Sequence, residues 1–165
     1  MENLNSLFSP EEIIKIAVKV EENGVDFYGQ LEKKTTDQAQ KAIWCYLKEQ
    51  EKQHQDIFSQ MLSNIKDFVV YEQYGQNEYD AYFKAVASGF IFTQRMMTDK
   101  AKELLALNST DKIIDFAITV EKESIATFSV LLEYIHFAKK HLIEEIIKQE
   151  KDHLTQLTQL KAKLN

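Results

Sequence analysis

Two Glu-x-x-His tetrads stand in this chain, Glu51-Lys52-Gln53-His54 and Glu150-Lys151-Asp152-His153. Residues at i and i+3 share one face of a helix, so each glutamate and its histidine can address the same point. A single tetrad of this kind is common on helix surfaces and carries little weight. Here the two tetrads are matched by two lone glutamates, Glu21 and Glu121, in repeated surroundings. Ala17-Val18-Lys19-Val20-Glu21 resembles Ala117-Ile118-Thr119-Val120-Glu121, and Gln50-Glu51-Lys52-Gln53-His54 resembles Gln149-Glu150-Lys151-Asp152-His153. The repeating unit is a helix pair that supplies one lone Glu and one Glu-x-x-His. Two such pairs about a pseudo-twofold axis would bring Glu21, Glu51, His54, Glu121, Glu150 and His153 together.

That set is suited to metal. Four ionised carboxylates carry about −4 at neutral pH, which two divalent ions would neutralise. Carboxylates in an antiparallel bundle can bridge two ions while each imidazole caps one. The donors are mostly oxygen, with one nitrogen per ion, which suits iron or manganese and disfavours copper. Zinc is an adventitious competitor.

The elements that must position these residues are helices. Gly 4 and Pro 1 leave few places to break one. Ser9 is a predicted N-cap, with Pro10 as the first helical residue and Glu12 as capping-box partner. Phe8 and Ile13 are spaced for a hydrophobic staple. The first helix is expected from about Pro10 to Lys33. Thr35-Thr36-Asp37 breaks it and caps a second, which runs to about Lys66. A long, partly helical crossover follows from Asp67 to Asn108, with shorter helices near Tyr79–Ser88 and Thr93–Leu107. Asn108-Ser109-Thr110-Asp111 caps the third long helix, expected to reach about Ala138. The fourth runs from about Lys140 to Leu164. Short gaps make the first and second helices antiparallel neighbours, and likewise the third and fourth. The expectation is an all-α, antiparallel four-helix bundle forming a single domain over residues 1–165.

Each helix carries an apolar stripe at 3-4 spacing that acid interrupts near its middle. The first has Ile14, Ala17, Glu21, Gly24, Tyr28 and Leu31. The second has Trp44, Leu47, Glu51, His54, Phe58, Met61 and Ile65. The third has Ile114, Ala117, Glu121, Ser124, Phe128, Leu131 and Ile135. The fourth has Ile143, Ile146, Glu150, His153, Leu157 and Leu160. Burying a carboxylate costs several kcal/mol without a compensating partner. The stripes hold no lysine or arginine, so a cation from outside the chain is the simplest partner. Glu22, Glu49, Glu123 and Glu145 fall off the stripes and read as solvated, and His136 and His141 as partly exposed. Tyr28 is within reach of the site but reads first as a core tyrosine.

Composition narrows the function further. A net charge of −6 argues against a nucleic-acid partner. The N-terminus shows no basic segment followed by an apolar one, so it does not read as a secretory signal. No apolar run approaches the roughly 18 residues of a membrane span. Cys45 is the only cysteine, which rules out an intrachain disulfide or a four-cysteine metal centre within these residues. It reads as a small core or near-core residue. A cytoplasmic location is expected, and a homodimer that buries the apolar and aromatic crossover residues.

At the ligand residues the sequence resembles the ferritin-like superfamily and, within it, the rubrerythrin group. Two further stretches share the likeness: Tyr82-Phe83-Lys84-Ala85-Val86-Ala87 with Phe90-Ile91-Phe92, and Val120-Glu121-Lys122-Glu123-Ser124-Ile125. The resemblance implies a ferritin-like bundle with a di-iron centre. By it, Glu21 and Glu121 are terminal ligands, Glu51 and Glu150 bridging ligands, and His54 and His153 the nitrogen ligands. It also implies an oxidoreductase that reduces hydrogen peroxide or dioxygen. Two departures stand out. Full rubrerythrins append a four-cysteine rubredoxin-like domain that feeds in electrons, so this chain would need a separate donor such as a rubredoxin or flavoprotein. The family also places an extra carboxylate three residues after the third-helix glutamate, where this chain has Ser124; the repeat mate of Ser124 is Gly24. The competing expectations are non-catalytic iron handling, as a ferroxidase, buffer or store, and a structural bundle with a vestigial site.

Overall fold

The computed structural model describes residues 9–65, 94–133, 135 and 137–164. Five α-helices make up nearly all of them: α1 Pro10–Lys34, α2 Gln38–Asn64, α3 Gln94–Leu107, α4 Thr110–Leu132 and α5 Lys140–Leu164. A single 3-10 turn, Phe137–Lys139, leads into α5. The all-α, antiparallel bundle expected from the stripes is the fold observed among the described residues. The Phe8 half of the staple, the helix expected near Tyr79–Ser88 and His136 lie outside the described residues.

The helix starts follow the capping residues. Ser9 Oγ accepts from the Glu12 amide at 3.2 Å, and the Ser9 amide donates to Glu12 Oε2 at 2.8 Å, which completes the capping box. Asp37 Oδ1 accepts from the Gln40 amide at 2.8 Å at the head of α2. Ser109 Oγ accepts from the Lys112 amide at 3.3 Å at the head of α4. Just before it, Asn108 has φ 46, the left-handed conformation that asparagine tolerates better than most residues.

One boundary differs from expectation. The third long helix, α4, stops at Leu132 rather than near Ala138. Beyond it the amides of Glu133 and Ile135 donate to Val130 O and Leu132 O, three residues back, so the chain tightens out of α geometry. No Gly or Pro marks this stop, and the apolar period runs straight through it. Ile135 remains buried although it lies past the helix.

Cross-helix contacts fix the pairing. Between α1 and α2, Thr35 meets Trp44, Glu32 meets Lys48 and Glu21 meets His54. Residue numbers fall on one helix as they rise on the other, so the pair is antiparallel. Lys161 with Asp115 and His153 with Glu121 show the same for α4 and α5. The helix α3 lies along α1, where Gln30 donates to Thr98 at 3.2 Å.

The apolar core is split in two. One cluster gathers Phe27, Leu31, Trp44, Leu47, Ala101 and Leu157 among others. The second gathers Ile13, Ile14, Phe58, Phe128, Ile143 and Ile146 among others. Fully burying a side chain such as Phe58 contributes roughly 1.5–3 kcal/mol, so both ends are well anchored. Glu21, Glu51, Glu121 and Glu150 lie between the two clusters along their helices. The acid layer is therefore enclosed by hydrophobic structure above and below.

Candidate metal centre

All six sequence-predicted ligands are buried in that layer. Exposure is 2% for Glu21, 6% for Glu51 and His54, 5% for Glu121, 2% for Glu150 and 1% for His153. Ordinary surface carboxylates do not reach such values. Each occupies the middle of an amphipathic stripe whose flanking apolar residues pull that turn of helix inward. Among the off-stripe acids, Glu22, Glu49 and Glu123 are exposed and Glu145 is half-buried. His141 is exposed and Cys45 half-buried.

Histidines and carboxylates meet within each helix pair. His54 Nδ1 lies 3.6 Å from Glu21 Oε2, across α1 and α2. His153 Nδ1 lies 2.8 Å from Glu121 Oε1, across α4 and α5. It also lies 3.8 Å from Glu51 Oε1, which links the pairs. The two imidazoles stand edge to face, with centroids 5.0 Å apart. Donor atoms of Glu51, His54 and His153 fall within 4.8 Å of one another, as do those of Glu21, His54 and Glu150.

Many of these donors lack a hydrogen-bond partner. Glu21 Oε2, His54 Nδ1, Glu121 Oε2, Glu150 Oε1 and both ring nitrogens of His153 are buried and unsatisfied. The 2.8 Å approach of Glu121 to His153 is thus close without hydrogen-bond alignment. Native proteins rarely leave so many buried polar atoms unpaired in one place. A cation at their centre would satisfy them together, and oxygen with imidazole nitrogen is the donor chemistry of iron and manganese.

The electrostatics agree. Burial raises the Glu21 carboxyl well above the usual carboxylate range, and Glu150, Glu51 and Glu121 push it further. Burial, then Glu51, raises Glu121. Burial, then Glu121, raises Glu150. Burial and the neighbouring His153 lower His54 to about 4, so its ring is neutral at physiological pH with a lone pair to give. Without a cation the layer resists carrying its full negative charge; a bound cation would reverse that preference.

Beside the layer, between α1 and α4, lies a cavity floored by Glu21, Glu51, Glu121 and Glu150. Tyr28 lines it as well. Its phenol is held protonated, its pKa raised by burial and by the nearby Glu51, Glu121 and Glu21. The tyrosine assigned first to the core thus also borders the site. Three cavity residues carried no signal of this role in the sequence. Asn23 is buried beside the stripe, Met97 arrives from α3, and Gly24 has a specific steric task. A Cβ on Gly24 would come within 2.9 Å of Glu51 Cδ, so the bare glycine makes room for the Glu51 carboxylate.

The carboxylate and histidine layer, held at mid-height by four antiparallel helices, is a site able to take metal. The family model for rubrerythrin matches residues 12–161, a span that contains all six residues. No curated protein and no solved structure matches the chain. From the match over most of its length, the chain belongs to the rubrerythrin family.

Proposed function

We propose that this chain holds two iron ions on Glu21, Glu51, His54, Glu121, Glu150 and His153 and uses them to reduce hydrogen peroxide or dioxygen. The observation that carries this is the layer of buried, unsatisfied donors enclosed between two apolar clusters. Glu21 with His54 serves one ion and Glu121 with His153 the other, as their close approaches suggest. Glu51 and Glu150 would be shared between the two. Manganese is an alternative occupant of the same donors.

Bound iron supplies Lewis acidity and electrons. The chain supplies the rest. Its carboxylates balance the charge of the ions, and its neutral imidazoles offer nitrogen lone pairs. The apolar clusters keep bulk water from the layer and so strengthen every charge interaction there. Reduction of hydrogen peroxide to two waters consumes two electrons and two protons. Cys45 is the only cysteine among these 165 residues, so no four-cysteine relay lies within them. A separate rubredoxin or flavoprotein is the proposed donor, and a homodimer the proposed assembly.

Anaerobic loading with ferrous iron, followed by rapid mixing with peroxide or dioxygen, tests this. The expected result is faster oxidation by one of the two oxidants and re-reduction of the ferric product by an electron-donor protein. Slow, comparable oxidation by both, with no re-reduction by any donor, would instead favour iron buffering or storage.

A further inference from the structure

Ser124, like Asn23 and Tyr28, is a polar residue of the cavity beside the metal layer that the ligand set leaves unused. It is 1% exposed, it lines the cavity between α1 and α4, and its Oγ has no hydrogen-bond partner. A helical serine or threonine has a ready way out of that situation, which is to donate to the carbonyl four residues back. On the same helix Thr119 does so to Asp115 O at 3.0 Å, and Ser129 to Ile125 O at 2.6 Å. On α5, Thr155 bonds Lys151 O at 2.9 Å and Thr158 bonds Leu154 O at 2.8 Å. These four hydroxyls are exposed and could use water instead. Ser124 is buried, needs the bond more, and does not make it.

The cavity limits what else Ser124 can hold. Its volume, counted as room for the centre of a water-sized molecule, is about 20 Å³. That accommodates a water or a ligand of two or three heavy atoms, not an organic substrate. Val20, Phe27, Met97, Phe116 and Val120 make its side walls apolar, and no lysine, arginine or histidine lines it. A small neutral molecule can enter, whereas the charge of an anion would have to be met by the metal itself. The floor of the cavity is the carboxylate layer, so such a ligand would lie against the ions on one side and Ser124 on the other.

We infer that the Ser124 hydroxyl is the hydrogen-bond donor that anchors a small ligand of the peroxide class in this cavity. The inference rests on the di-iron assignment above and deepens it. It also gives the site a size limit, since a cavity of about 20 Å³ does not hold a bulky organic hydroperoxide.

Azide is a suitable probe, being linear and three atoms long. Wild-type protein and Ser124→Ala are loaded with ferric iron, their metal content is measured, and azide is titrated by visible absorption. Equal metal content with an azide Kd about 5- to 10-fold weaker in Ser124→Ala is expected, the size of one lost hydrogen bond. Ser129→Ala, which removes a hydroxyl already bonded to the backbone, should match wild type. Equal azide affinity in Ser124→Ala and wild type at equal metal content would overturn the inference while leaving the di-iron assignment intact. Metal content reports on that assignment separately. A crystal structure of the metal-free protein supplies a readout independent of iron. An ordered water on Ser124 Oγ supports the role, and a dry cavity contradicts it.

Discussion

The α1–α2 pair and the α4–α5 pair present the same ligand types at matching heights, yet they differ one turn beyond the lone glutamate. After Glu21 comes Gly24, whose missing side chain makes room for the Glu51 carboxylate. After Glu121 comes Ser124, whose hydroxyl is unpaired beside a cavity. Another turn along, Tyr28 in the first pair stands against Phe128 in the second. The difference separates two demands on one bundle. On the proposed di-iron reading, the ligands repeat because two ions need equivalent surroundings. Their neighbours diverge: one side packs the Glu51 side chain, and the other borders a cavity.

The largest expected effect comes from breaking what the two halves share. Glu51→Ala or Glu150→Ala should lower bound metal per chain by half or more, because each removes a donor that the proposal has shared between two ions. Glu123→Ala, an exposed position beside Glu121, should leave it unchanged. Elemental analysis of the three purified variants measures this, and equal metal in all three would refute the ligand assignment.

Removing metal from the intact protein should come next. Buried charge left without its partner costs about 3–5 kcal/mol. For a chain of this size that corresponds to a fall in Tm of roughly 10 °C near neutral pH. The fall should depend on pH. Glu21, Glu121 and Glu150 have folded-state pKa values raised above their ordinary range. In the metal-free protein they therefore favour folding at low pH, and that stability is lost as pH rises through their folded values. His54, lowered to about 4 from 6.5, opposes them only as pH falls below 6.5. Above that range the carboxylates act alone, so metal-free protein should melt at a lower temperature at pH ~8 than at pH ~6.5. Metal-loaded protein should not share this trend, since ions compete with protons for the same oxygens. Calorimetric scans of both forms check the sign, and identical melting with and without metal would contradict the buried-layer account.

Exchanging the repeat mates sharpens the comparison with smaller effects. Gly24→Ala should leave the metal-free fold nearly intact. The helix gains about 1 kcal/mol of propensity, and the strained atoms are the end of one side chain. Its effect should fall on metal, with affinity lowered about 10- to 100-fold as Glu51 is displaced. Ser124→Ala should do the reverse of nothing so large: stability within about 1 kcal/mol of wild type and metal affinity unchanged. Competition titrations with a metal chelator compare the two. Equal losses in both variants would mean that the halves do not differ as described.

The bundle and its polar layer were legible in the sequence for one physical reason. Burial in a helix has a period, and acid at positions such as Glu21 and Glu150 violates it where a partner must compensate. Capping residues were equally readable, because Ser9, Asp37 and Ser109 act on amides three residues away. Features set by tertiary packing were not. Ile13, Ile16, Phe27, Ile113 and Ile147 lie beside the expected stripes and are buried too, because each helix packs on more than one neighbour. The stop at Leu132 lacks a Gly or Pro signal. The Gly24 contact with Glu51 and the cavity beside Ser124 join residues from different helices, and no local pattern encodes such meetings.

The most direct test of the central claim is a crystal structure of iron-loaded protein with anomalous data collected at the iron edge. Two peaks are predicted inside the bundle, one between Glu21 and His54 and one between Glu121 and His153, with Glu51 and Glu150 contacting both. A single peak, or peaks bound by residues outside this set, would contradict the account.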